Sequence, residues 1–112
     1  MNGRAPRMTV DHALQRLVEQ GGGEVALLFE HGSLAIEYYK PDKVDRQQPH
    51  TRDEVYVIAS GAGHFVKADQ RHPVTVGEVL FVPAGVVHRF EQFSEDFATW
   101  VIFYGPEGGE AP

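Results

Sequence analysis

After one short amphipathic segment, the chain reads almost entirely as short β-type runs separated by turn residues. From Thr9 to Gln20 the apolar residues Ala13, Leu14, Leu17 and Val18 fall at helical spacing, and Gly21-Gly22-Gly23 follows. Thr9 or Asp11 is available as the N-cap. A helix this short is marginal alone, so its apolar stripe needs a larger surface to pack on. Beyond the glycines, runs rich in β-branched and aromatic residues predict strands at 25–29, 34–39, 54–59, 64–68, 74–76, 79–82, 86–93 and 97–104. EHGS (30–33), SGAG (60–63) and DQRHP (69–73) read as turns, and KPDKVDRQQP (40–49) as a polar loop. One helix followed by many short strands predicts an all-β barrel or sandwich, its interior lined by alternate residues of each strand. No internal repeat or linker divides the chain, so we expect a loose tail over residues 1–8 and the helix within 1–24, a barrel over 25–104 and a polar tail over 105–112.

Composition narrows the function classes. With 112 residues, 42% hydrophobic and 23% charged, the chain can bury one core. The net charge is −6 and the basic residues are scattered, which argues against nucleic acid and against anionic membrane surfaces as partners. The lack of cysteine excludes disulfides, thiolate catalysis and thiolate zinc sites. The N-terminal MNGRAPRMTVDHALQRL does not read as a signal peptide, and no stretch reaches the roughly 18–20 apolar residues that span a bilayer, so the expected setting is the cytoplasm.

The candidate chemistry lies in two stretches. In QPHTRDEVYVIASG, Gln48, His50 and Glu54 share one parity at the mouth of a strand. Taken alone, they are either a polar loop entering a half-buried strand or several groups aimed at one point. In GEVLFVPAGVVHRFEQ, His88 opens another strand in parity with Phe90 and Gln92.

The spacing of these residues resembles the cupin superfamily of small β-barrels. Its first motif, HxH, three or four residues, Glu, six residues, Gly, is matched by Gln48-Pro49-His50, Glu54 and Gly61, with Gln48 in place of the first histidine. The glycine that leads this motif is absent, Asp42 standing there. The second motif, Gly, five residues, Pro-x-Gly, two residues, His, three residues, Asn, is matched by Gly77, Pro83, Gly85 and His88, with Gln92 in place of the asparagine. The resemblance covers 25–104, and the 15-residue spacing between Gly61 and Gly77 is similar to that of small single-domain microbial cupins. It implies a single jelly-roll-like cupin barrel with a divalent metal inside, held by His50, Glu54 and His88 with Gln48 in the fourth place. Gln48 would bind weakly through its amide oxygen, hold a water, or leave the position open. Two imidazoles and a carboxylate suit Fe(II), Mn(II), Ni(II) or Zn(II).

Around this centre, Tyr56, Ile58, Phe90, Gln92 and His64 are candidate pocket residues. Tyr56 shares parity with Glu54 and either orients a ligand or fills the barrel. His64 either supports the site or faces solvent. Arg52 either pairs with an acidic group or is exposed, and His12, His31 and His72 are expected at the surface. Phe97, Trp100, Phe103 and Tyr104 are expected in the core or in dimer contacts. SGAG lacks the lysine and the following helix of a phosphate loop. Three functions remain open: a metal-dependent, dioxygenase-like enzyme acting on a small organic molecule, a small-molecule binding or sensor protein, and a structural dimer. The first two strands and the last are apolar on both parities, so both faces need cover, and a homodimer is expected.

Overall fold

The computed structural model describes residues 7–112. The tail expected over residues 1–8 thus lies mostly outside the described residues.

Helix α1 (Val10–Glu19) is capped by Thr9, whose Oγ1 accepts the backbone N–H of His12 at 3.1 Å, so Thr9 rather than Asp11 is the cap. Ala13 and Leu17 are its buried residues, and they pack with Ala26, Tyr38 and Ala98 on the outer face of a sheet. That sheet has the order β1-β2-β8-β3-β6 and is antiparallel throughout: β1 (Val25–His31), β2 (Leu34–Tyr39), β3 (Asp53–Ser60), β6 (Val79–Val82) and β8 (Ala98–Tyr104). A second antiparallel sheet has the order β5-β4-β7, from β4 (Ala62–Lys67), β5 (Gln70–Thr75) and β7 (His88–Glu91). The all-β expectation holds. Alternate residues from both sheets interdigitate in one core: Tyr56, Ile58, Leu80, Val82 and Val101 from the first, Phe65, Val74 and Phe90 from the second. Aromatic contacts fill it, Tyr56–Phe90 edge-to-face at 5.0 Å and Phe90–Phe97 tilted at 4.9 Å between centroids.

Two segments differ from the sequence reading. DQRHP is mostly strand: β5 starts at Gln70, and Pro73 is accommodated because β5 is an edge strand with no outer partner to donate to. The strand expected over 86–93 contracts to β7, because Gln92 adopts φ +47 and breaks the ladder. Gly61 has φ +71, and a Cβ there would stand 2.8 Å from Phe97 Cα, so only glycine permits the close β3–β4 turn.

The polar tail is tied down. Gly108 N–H donates to Thr51 O at 2.7 Å, and Glu110 N–H to Asp53 Oδ2 at 2.8 Å. Asp53 Oδ1 also accepts Ala84 N–H at 2.9 Å. One carboxylate therefore joins the start of β3, the turn before β7 and the C-terminal tail. The two N–H donors, Glu110's first, hold its pKa below the usual carboxylate value.

Candidate metal centre

Three residues from three parts of the fold converge. Glu54 is the second residue of β3, where Val82 of β6 and Phe103 of β8 flank it, and it is 0% exposed. His88 opens β7 in the opposite sheet and is 2% exposed. His50 lies in the loop before β3, its carbonyl accepting Gly85 N–H at 2.7 Å, which ties the two ligand-bearing loops together. One ligand atom from each of His50, Glu54 and His88 lies within 4.8 Å of the other two. Donors around a single ion at about 2.0–2.1 Å stand roughly 3–4 Å apart, so the cluster is of the right size.

The polarity of the cluster points the same way. His88 Nδ1 lies 2.8 Å from Val86 O. A carbonyl can only accept, so Nδ1 carries a proton, and His88 presents Nε2 to the centre, where its lone pair is free for a cation once the ring is neutral. That Nε2 is 2.8 Å from Glu54 Oε1, yet it is buried without a hydrogen bond, and Glu54 Oε2 is likewise buried and unpartnered. The contact is short but out of line for a hydrogen bond. His50 Nδ1 lies 2.9 Å from the same Glu54 Oε1. Burial works to raise the pKa of Glu54, but the imidazoles of His50 and His88 more than offset it and hold the carboxyl below its usual value. Burial works to lower that of His88, and the Glu54 carboxylate and Val86 carbonyl more than offset it, raising it. Buried lone pairs of a carboxylate and of imidazole nitrogens that converge on one point fit a cation between them.

The other candidate residues divide. Tyr56, Ile58 and Phe90 line the interior, Tyr56 with its ring 5.8 Å from that of His88. His64 and Gln92 do not belong to the centre. His64 has the parity opposite to the buried Phe65, and Gln92, turned out by its positive φ, accepts Arg71 Nη2–H at 2.6 Å. Gln48 is exposed, unlike the buried Glu54 and His88. The strand parity that aligned it with His50 does not apply, because residues 40–52 form no strand. Gln47 turns inward instead, its Oε1 accepting the Tyr56 hydroxyl at 2.9 Å. Arg52 bridges the β1–β2 turn and the end of β8, donating to the Ser33 carbonyl and, at 3.4 Å, to that of Gly105.

The sequence reading missed Asp45. Its Oδ1 accepts Tyr39 O–H at 2.7 Å and Gln47 N–H at 3.0 Å, and its Oδ2 accepts Gln47 Nε2–H at 2.7 Å and Phe90 N–H at 2.8 Å. It thereby nails the 40–52 loop across both sheets and positions Gln47 against Tyr56. Nothing in a polar loop distinguishes such an aspartate beforehand.

The sequence profile of the family described as Cupin domain matches residues 35–104. The chain is 43% identical over 63 residues to an uncharacterised protein of Streptomyces coelicolor, a match covering 56% of this chain and 60% of that one. It is 30% identical over 89 residues to the HTH-type transcriptional activator RhaR of Mannheimia succiniciproducens, covering 72% of this chain and 32% of that protein. The matches thus span less than two thirds of the length of both relatives. Among solved structures, a cupin-2 domain containing protein of Shewanella frigidimarina superposes with a TM-score of 0.64 at 18% identity, covering 82% of this chain and 92% of that one, a likeness of fold. No helix among the described residues is long and apolar enough to cross a membrane. With both ligand-bearing segments, 48–61 and 77–92, inside the matched residues, the chain belongs to the cupin domain family.

Proposed function

We propose that this protein holds a divalent metal ion at His50, Glu54 and His88 and uses it to bind, and as Fe(II) to oxidise in a dioxygenase-like reaction, a small organic molecule. The observation that carries the metal is the pair of buried, unpartnered donor atoms, Glu54 Oε2 and His88 Nε2. The observation that favours Fe(II) is the donor count: with Gln48 exposed, two histidines and one carboxylate leave coordination positions open. When bound, the ion supplies Lewis acidity and, as Fe(II), redox chemistry with dioxygen. The chain's own residues do the rest. Val86 fixes the His88 tautomer, Glu54 draws both imidazoles inward, and Phe65 and Phe90 exclude water behind Tyr56. Tyr56 stays a neutral donor, since burial, then the charges of Glu54 and Asp45, raise its pKa. A cytoplasmic setting, where Fe(II) stays reduced, belongs to this reading.

Metal analysis of protein purified without chelators tests the centre, with about one ion per chain expected. Oxygen uptake by Fe(II)-loaded protein against small hydroxy-, amino- and keto-acids tests the reaction. The likeness to a transcriptional activator supports a second reading, a ligand sensor. Saturable ligand binding with no oxygen uptake or product would select it.

We also propose a homodimer through the outer face of the five-stranded sheet. Val79 and Phe81 are 65% and 46% exposed there, and they continue across the ladder into Val55, Val57, Ile102 and Ile36, beyond the reach of α1. A second copy would bury more than roughly 1,000 Å² in total. Sedimentation equilibrium at micromolar concentration is expected to give twice 12.5 kDa, and a species of 12.5 kDa would remove the proposal.

A further inference from the structure

Access to the centre is one-sided. The Glu54 and His88 side chains are 1% and 0% exposed, whereas that of His50 is 32% exposed, so a molecule reaching the ion must come past His50. The interior beyond Tyr56 is filled with aromatic rings. The open side is bounded by the inner face of β2 and β8, where Phe103 packs edge-on to His50 at 5.0 Å.

On that face stands Glu37, which the metal centre does not use. Glu37 pairs with Val101, which pairs with Tyr56; the adjacent row runs Ala35, Phe103, Glu54. Glu37 therefore sits on the inner face, two strands over and one row along from Glu54, about 12 Å between backbones at ordinary strand spacing and rise. It is half-buried, and no hydrogen bond reaches its carboxylate from the described residues. The nearby cation, Arg52, is spent on the Ser33 and Gly105 carbonyls. Burial raises the pKa of Glu37; His50 and Arg52 pull it down, while Glu54 and Glu30 add to the rise. A partly dry carboxylate without a donor is costly, and a ligand that brings one recovers that cost.

We propose that Glu37 selects the ligand of this protein: a small molecule that gives an oxygen donor to the ion at His50, Glu54 and His88 and presents an amino or hydroxyl group to Glu37. This rests on the metal-centre reading above. The occupant is dipolar, because a divalent ion against one carboxylate leaves the ligand cluster positive while Glu37, with Glu30 beside it, makes the approach negative.

Calorimetry on the Ni(II)-loaded full chain with pentanoate, 5-hydroxypentanoate and 5-aminopentanoate tests this. Wild-type protein is expected to bind the two donor-ended probes about tenfold more tightly than pentanoate, the increment of one charge-assisted hydrogen bond. Glu37→Leu should abolish both preferences. Glu37→Gln should keep the preference for hydroxyl and lose that for ammonium, a split that a merely structural role does not produce. Ni(II) affinity should be unchanged in both variants. Equal binding of the three probes by wild type, or a preference that survives Glu37→Leu, overturns the assignment while leaving the metal centre intact. Failure to take up Ni(II) at all overturns the metal-centre reading and this proposal with it.

Discussion

His88 and His64 each bury a ring nitrogen without a hydrogen bond, but their surroundings differ. Around His88, a carboxylate and a second imidazole converge on the free nitrogen, and a backbone carbonyl fixes the tautomer. Around His64, no other metal-ligating side chains converge among the described residues. It lines a surface cavity of about 650 Å³ with Thr75, Gln92 and Ser94. Glu91, opposite His64 on β7, is already taken by Arg71 at 3.1 Å and Arg89 at 2.6 Å. An orphaned nitrogen is only a local cost. It becomes a site when neighbouring groups share a reason to be unpaired, and the packing of the two sheets face to face brings Glu54 and His88 together to supply it.

Breaking the first region should have the largest effect. His88→Ala and Glu54→Gln are each expected to weaken Ni(II) binding by about a hundredfold or more, measured by equilibrium dialysis, since each removes one of three donors. Both variants should keep the β-type circular dichroism of the wild type, because the aromatic core supplies the fold. Chelation of wild-type protein should lower its melting temperature and leave these variants unmoved.

Loosening the frame should cost less. Asp53 touches neither imidazole but links the loops that carry His50 and His88. Asp53→Ala is expected to weaken Ni(II) binding by about tenfold, the scale of a supporting contact. Asp53 also sets a pH dependence. Its folded pKa lies below its unfolded one, so its stabilising contribution is present above the unfolded value and is lost as pH falls through the folded value. Acidification through and below the ordinary carboxylate range should release the tail first, seen as faster exchange of the Glu110 and Ala84 amides, and Asp53→Ala should show that exchange already at neutral pH.

The smallest expected effects sharpen the contrast. His64→Ala should leave Ni(II) affinity within about twofold of wild type, because no second donor shares its nitrogen. Gln48→His should do the same, since the side chain is exposed. Tighter binding in Gln48→His would mean that the 40–52 loop moves to bring residue 48 to the ion.

Glu54 and His88 were legible in the sequence because each lies in or at the start of a strand, where parity decides the face and motif spacing decides the depth. Tyr56, Ile58 and Phe90 were legible for the same reason. Gln48 and Gln92 were placed by that rule where it does not hold, one in a loop and one at a left-handed residue that ends a strand. Asp45 and Asp53 were invisible as frame residues because their partners, Phe90, Ala84 and Glu110, are distant in the chain.

Local sequence determined what local physics controls: the capped helix, the alternation that makes eight strands, the donor types at the centre and the absence of thiolates. Tertiary structure decided which glutamine turns inward, that the glycine-rich tail is held by Asp53, and that Glu37 stands on the inner face without a hydrogen-bond partner among the described residues. These depend on sheet order and on hydrogen bonds closed across dozens of residues, and pairwise closure of that kind leaves no periodic trace in the chain.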